Sequence, residues 1–179
     1  MANLHAVASS CPETSTSASV LSSGYDVFIN HRGPDTKNTF ASHLYRALVR
    51  CGLSVFWDKE EMEKGDEIWS QIVQAIREAS VHVAVFSPRY AESHWCLAEL
   101  VLMKNSGATI IPIFYKVDPS VVRWSEKGEY AKALRDLEQK TETDRETCEV
   151  KPRYGSDTIQ NWRDALSCVA DLSGFTLLG

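Results

Sequence analysis

From Tyr25 onward the chain alternates short runs of β-branched and aromatic residues with longer segments of helical period, and that alternation leaves few folds open. The candidate strands are residues 25–30, 53–57, 81–86 and 109–115, each apolar on both faces. A strand can be apolar on both faces only where helices cover both sides of its sheet, so these four are expected as central parallel strands. Between the first two, Phe40, Leu44, Leu48 and Cys51 recur at helical spacing, and Gly52 supplies a stop. Ile68, Ile72, Ile76 and Ala79 repeat the device before the third strand, and Leu97, Leu100, Val101 and Met103 mark a helix before the fourth. Strand, helix and strand in this rhythm predict a three-layer α/β domain around a parallel sheet of four to five strands.

Beyond Tyr115 the pattern weakens. Residues 116–128 carry the turn sequence Asp118-Pro119-Ser120, and residues 139–157 are charged and broken by Gly and Pro, so both stretches are expected as long loops. Ile159, Trp162, Leu166 and Val169 then share one helical face, with Gly174 expected to end that helix and a short edge strand expected at 175–178. Residues 1–24 hold seven serines and two threonines but no Lys or Arg and no continuous apolar stretch. They are expected to form a disordered tail, leaving residues 25–179 as the one folded domain.

Composition removes several functions. No run approaches the roughly 18 to 20 apolar residues that a helical membrane span requires, so no membrane partner is expected. The net charge is -5 with dispersed basic residues, which disfavours a phosphate backbone, and nucleic acid is not expected as a partner. Five cysteines (Cys11, Cys51, Cys96, Cys148, Cys168) make an odd count without a CxxC pair, as reduced thiols in a cytosol would. The five histidines lack ligand spacing such as HxxxH, so no metal is expected.

Ligands of open α/β sheets bind beyond the carboxyl ends of the strands, where helix amino termini and loop amides converge. The sequence fills that edge with polar residues: Arg32, Gly33, Pro34, Asp35, Thr36 and Lys37 after the first strand, 58–66 after the second, 87–95 after the third and 116–123 after the fourth.

These segments resemble the plant Toll/interleukin receptor resistance (TIR) family. Tyr25-Asp26-Val27-Phe28-Ile29 with Arg32-Gly33 and Asp35-Thr36 is similar to the family's opening box. Tyr90-Ala91, Ser93, Trp95-Cys96-Leu97 and Glu99-Leu100 resemble its active-site helix. Ile111-Pro112-Ile113-Phe114-Tyr115, Val117-Asp118-Pro119-Ser120, Trp162-Arg163, Ala165-Leu166 and Leu172-Ser173-Gly174 extend the likeness to about Phe175. There are departures: Asn30 and His31 stand where the family usually has Ser and Phe, and Lys37 where it usually has Arg. Lysine keeps the charge but loses the planar fork. The helix that usually follows the Ser-Gly-aromatic segment is also missing, which fits a TIR-only protein or an isolated TIR domain.

The resemblance implies a flavodoxin-like fold and an NAD+ nucleosidase of the ADP-ribosyl cyclase/hydrolase type. Its reaction would yield nicotinamide and ADP-ribose or a cyclic isomer, as a signal in plant innate immunity and cell death. It makes Glu99 the catalytic carboxylate and the Arg32 to Lys37 segment a substrate-binding loop, with Gly65, Trp69 and Trp95 also at the NAD+ site. NAD+ or NADP+ would be substrate, with no separate cofactor. Partners would be a second TIR domain, met through Ser42 and His43, and immune proteins that recognise the nucleotide product; the site of action would be the cytoplasm and also the nucleus. The alternative is a non-enzymatic TIR adaptor that acts by self-association.

The chemistry suits a single carboxylate. The leaving group of the nicotinamide-ribose bond is already cationic and departs neutral, so of the two carboxyl groups in an ordinary glycosidase only the one that supports the oxocarbenium-like sugar is needed. A carboxylate about 4 Å from that cation, at an effective dielectric near 20, would stabilise it by roughly 4 kcal/mol, or about a thousandfold in rate. Helical spacing puts Trp95 and Glu99 on one face, from which the acid can look into the crevice. Gly33 would permit close backbone approach between Arg32 and Lys37, and Gly65 would lend freedom to the loop at 58–66. Plainer readings stand beside these: Asp35 as a helix cap, Trp69 as a cover for the core, Cys96 as a packed thiol, and Ser42 and His43 as exposed polar residues.

Overall fold

The structure is a computed structural model and describes residues 24–57, 66–124, 127–144 and 148–178. In chain order the elements are β1 (Val27–His31), α1 (Gly33–Thr36), α2 (Phe40–Arg50), β2 (Val55–Trp57), α3 (Asp66–Glu78), β3 (Val81–Phe86) and a 3-10 turn (Tyr90–Glu92). Then come α4 (His94–Ser106), β4 (Thr109–Tyr115), α5 (Pro119–Arg123), α6 (Gly128–Glu138), β5 (Thr141–Thr143), β6 (Val150–Pro152), α7 (Ser156–Ala170) and β7 (Phe175–Leu177).

Five strands form one parallel sheet in the order β2-β1-β3-β4-β7. Val27 pairs with Val55 on one side and with Val81 on the other, Val81 with Thr109, and Ile113 with Phe175. Strand periodicity divides the side chains between two cores. Val27, Ile29, Val83 and Val85 enter a smaller cluster with Phe40, Leu44 and Leu48 of α2. Phe28, Ala84 and Phe86 enter a larger one with Ile72 and Ile76 of α3, Leu97 and Leu100 of α4, Leu134 of α6 and Trp162 of α7. Complete burial of a side chain such as Phe28 or Ile29 contributes about 1.5–3 kcal/mol, so β1, buried at all five positions, anchors both layers.

The order has one consequence for function. From β1 the chain goes to β2 on one side and then crosses back to β3 on the other, so the topological switch, and with it a crevice, lies between the carboxyl ends of β1 and β3.

Several expectations need correction. The expected central strand at 53–57 is the edge strand β2 and is half-buried, because nothing pairs with its far side among the described residues. The stretch 116–128 contains the helix α5, whose first turn Asp118 caps by accepting from the Ser120 amide at 2.8 Å. The charged stretch 139–157 contains an antiparallel hairpin of β5 and β6. Between these two stretches lies a helix the sequence pattern does not mark, α6, which buries Tyr130, Leu134 and Leu137 on one face. Gly174 does not end α7, which closes at Ala170; the residue lies so close to β4 that a Cβ would collide with the Pro112 carbonyl oxygen. The tail at 1–23 and most of the 58–66 segment, Gly65 included, lie outside the described residues. Among the described residues no helix is long and apolar enough to cross a membrane, and Cys51, Cys96, Cys148 and Cys168 form no disulfide with one another.

Candidate active site

Glu99 sits in the second turn of α4. Ser93 starts that helix, accepting from the Cys96 amide at 3.3 Å, and Gly107 ends it in the left-handed region with φ 79°. Cys96, Leu97, Leu100 and Met103 bury the helix against the sheet and carry Glu99 inward with them. Glu99 is only 4% exposed and is packed against the end of β1, beside the switch crevice and closed to bulk solvent. There Asn30 Nδ2 donates to Glu99 Oε2 at 2.9 Å. Residue alternation explains the meeting, since Asn30 is two positions after Phe28 and points into the same layer.

Tyr90, in the 3-10 turn after β3, donates its hydroxyl to Asn30 Oδ1. Burial, and after it the neighbouring Cys96 and Glu99, raise the phenol well above its ordinary value, so it stays protonated and available as a donor. Tyr130 of α6, raised in the same way by burial and then by Asp35, donates to the Ser87 carbonyl at 2.7 Å.

The segment after β1 is a turn of helix, α1, and Gly33 opens it without a positive φ. A chain of hydrogen bonds holds α1. Trp57 Nε1, a donor only, gives to His31 Nε2; the proton must then be on Nδ1, which donates to Thr36 Oγ1 at 2.9 Å, and Thr36 donates to the Arg32 carbonyl at 3.0 Å. Asp35 does not cap α2. It accepts from Ser87 Oγ at 2.6 Å and from the Arg89 amide at 3.2 Å, and it pairs with Arg32 at 2.9 Å.

Arg32 also reaches Glu92 at 3.1 Å, so the loops after β1 and β3 are joined across the switch crevice by an acid from each side. The buried Arg32 Nε has no hydrogen-bond partner among the described residues. A largely buried guanidinium with a spare donor is suited to a phosphate or carboxylate, which would displace Glu92, the more exposed of its two partners. Pro34 is exposed, Thr36 is turned inward, and Lys37 is half-buried at the end of α1.

Trp69 of α3 and Trp95 of α4 meet with ring centroids 5.3 Å apart, and His94 lies 4.7 Å from Trp95. Trp69 also packs on the larger core, so its plain reading holds together with its place beside α4. Ser42 is buried and donates to the Thr39 carbonyl at 3.0 Å, contrary to its reading as exposed, while its neighbour His43 is exposed. Sequence reasoning noted Asn30 only as a departure and gave Tyr90, Ser87 and Glu92 no role. The available signal was their position, at or just beyond the carboxyl ends of β1 and β3.

The profile of the TIR domain family matches residues 24–177. The chain belongs to the TIR domain family. It is 42% identical over 154 residues to TMV resistance protein N of Nicotiana glutinosa, covering 84% of this chain and 12% of that protein. Disease resistance protein RPV1 of Vitis rotundifolia is 40% identical over 158 residues, which is 86% of this TIR domain and 10% of the relative. The chain thus spans about a tenth of the length of these curated resistance proteins. A shorter relative, the probable 2' cyclic ADP-D-ribose synthase BdTIR of Brachypodium distachyon, is 51% identical over 98 residues, 55% of this chain and 44% of that one. Among solved structures, the TIR domains of the activated Roq1 resistosome, which directly recognises the pathogen effector XopQ, align with a TM-score of 0.70. Identity there is 39%, covering 86% of this chain and 88% of that one.

Proposed function

We propose that this TIR domain cleaves the nicotinamide-ribose bond of NAD+, with Glu99 supporting the ribosyl cation, and that its products signal in plant immunity and cell death. The observation that carries the reading is the carboxylate of Glu99, held against Asn30 beside the switch crevice where an α/β sheet takes its ligand. The bond between ribose C1′ and the pyridinium nitrogen breaks, and its electron pair leaves with nicotinamide as a neutral molecule. The positive charge left on the sugar faces the carboxylate. Water then adds at C1′ and loses a proton, giving ADP-ribose; a hydroxyl of the same ADP-ribosyl group adding in its place gives a cyclic isomer. The cyclic outcome draws support from the activity named for the Brachypodium relative.

Arg32 and Lys37 supply the positive charge for the diphosphate, and the Trp69 and Trp95 pair offers a flat apolar surface to a base. NAD+ is the substrate, with NADP+ as a second candidate, and no further cofactor is required. Assembly with other TIR domains is the expected route of activation, in the cytoplasm and nucleus; the Roq1 resistosome is the precedent. Incubating the purified protein with NAD+ over a range of protein concentrations, and resolving products by chromatography and mass, tests the reading. Release of nicotinamide in step with ADP-ribose or an isomer is the expected result. Intact NAD+ at every concentration would leave the adaptor reading in its place.

A further inference from the structure

Asn30 is completely buried, and each polar atom of its amide is engaged. Nδ2 faces two acceptors, Glu99 Oε2 at 2.9 Å and the Cys96 carbonyl at 3.3 Å, and Oδ1 faces the Tyr90 hydroxyl. The opposite amide orientation would set the carbonyl oxygen against a carboxylate and a carbonyl, so the environment itself fixes which end is nitrogen. Tyr90 is fully buried too, and its hydroxyl lies 3.1 Å from the same Cys96 carbonyl. A side chain locked in this way from β1, the turn after β3 and the backbone of α4 has one orientation to offer the carboxylate.

We propose that Asn30 is the positioning residue for Glu99, donating one amide hydrogen that fixes the carboxylate's plane, with Tyr90 holding Asn30 in turn. The proposal deepens the NAD+ reading and, as far as catalysis is concerned, rests on it. The physical need is plain. A carboxylate withdrawn from water must have its charge met by a hydrogen bond, and it serves a developing cation best when its orientation is set before the bond breaks. Among the described residues, the titratable side chains facing the cluster are the Tyr90 phenol, the Cys96 thiol, which donates to the His31 carbonyl at 3.4 Å, and, beyond Ser87, Tyr130 and Asp35. Asn30 supplies a neutral donor within this group and adds no charge of its own. It carries two N–H donors, enough to serve Glu99 and the α4 backbone together.

The test has one readout that needs no turnover. With glutamate 13C-labelled at the side-chain carboxyl, the Glu99 resonance is identified by its loss in Glu99→Gln, and its titration is followed in the parent, in Asn30→Leu and in Tyr90→Phe. Asn30→Leu keeps the approximate size and removes the donor without adding a charge; Tyr90→Phe keeps the ring and releases the amide, and covers the case in which Asn30→Leu does not fold. The Glu99 acid dissociation constant should fall about tenfold or more in Asn30→Leu and by a smaller factor in Tyr90→Phe. With NAD+ as substrate, kcat should fall about ten- to a hundredfold while KM changes less than about threefold, since orientation matters most in the transition state. A folded variant with an unmoved Glu99 titration, or with kcat unchanged, overturns the assignment of Asn30. A parent that cleaves no NAD+ overturns the catalytic reading instead, and the titration still decides whether Asn30 governs the carboxylate.

Discussion

Asp35 accepts a hydrogen bond from the Ser87 hydroxyl at 2.6 Å, joining α1 to the first residue after β3 across 52 positions of sequence. The same carboxylate takes the Arg89 amide and the Arg32 guanidinium, and Tyr130 fastens the Ser87 carbonyl from the other side. The two loops bordering the switch crevice are therefore held at a fixed distance by one acid, which is itself largely buried. Asp35→Ala should leave Ser87 and Arg32 without that partner. Stability should fall by about 1–3 kcal/mol, read as a lower denaturant midpoint with an unchanged slope. An unshifted midpoint would mean that the bridge contributes nothing to holding the loops.

Glu92 has a different effect on the same arginine. It shares its carboxylate between Arg32 and Arg89, and it is considerably more exposed than Asp35. On the proposed NAD+ reading, a substrate phosphate approaching Arg32 has to replace it. Glu92→Ala should therefore tighten binding of ADP-ribose severalfold, with a stronger dependence on salt, as measured by calorimetry at two ionic strengths. Weaker binding in the variant would show that Glu92 orients Arg32 for the ligand and does not compete with it.

His82 ties stability to pH. Its ring is buried on β3, with Nε2 donating to the Ile76 carbonyl at 2.9 Å. Burial lowers its pKa from the ordinary 6.5, and the hydrogen bond to Ile76 only partly offsets this. In the folded chain the ring therefore stays neutral at a pH where the unfolded chain has taken up a proton. The contribution to stability is present above about pH 6.5 and is lost as pH falls below it towards the folded value. The slope for one proton is at most about 1.4 kcal/mol per pH unit. Denaturation curves between about pH 5 and 7.5 should show this loss in the parent and a flatter response in His82→Gln. Equal slopes would assign the acid sensitivity to other groups.

How legible all this was in the sequence depended on how local the determining physics is. The strands β1, β3 and β4 announce themselves because an apolar run covered on both faces has few other uses, and Ile68, Ile72 and Ile76 mark α3 by period alone. Gly174 was misread because a glycine after a helix is ordinarily a stop, whereas its constraint is the backbone of β4, more than 60 residues earlier. Helix α5 was hidden in a turn motif, since Asp118-Pro119-Ser120 begins a short helix as readily as a loop. At the candidate site, Glu99 is singled out by resemblance, and Arg32 by its place after the first strand as well as by resemblance. Their partners Asn30 and Glu92 came only with the packing of β1, the 3-10 turn and α4, because no spacing rule links residue 30 to residue 99.

The burial of Glu99 changes what Glu99→Gln should do. For an exposed helical glutamate the substitution would shift stability by no more than about 0.5 kcal/mol in either direction. Here the carboxylate is withdrawn from water and receives the Asn30 amide. Glutamine keeps the length and can still accept that hydrogen bond through its carbonyl oxygen, while the cost of burying a charge disappears. Its new amide hydrogens need acceptors, a cost of similar size and opposite sign. The melting midpoint should therefore stay close to the parent's or rise, and circular dichroism should be unchanged. Turnover behaves otherwise. A neutral amide cannot offer the roughly 4 kcal/mol of Coulomb stabilisation expected from a carboxylate about 4 Å from the ribosyl cation, so kcat for NAD+ should fall by about two to three orders of magnitude. Binding of the intact dinucleotide should weaken far less, because the charge acts on the cation formed as the bond breaks. Stopped assays of nicotinamide release beside thermal melts of the same preparations separate the two effects. A folded Glu99→Gln protein that releases nicotinamide at near the parent rate would remove Glu99 from the chemistry; loss of turnover together with the fold would return it to a structural role.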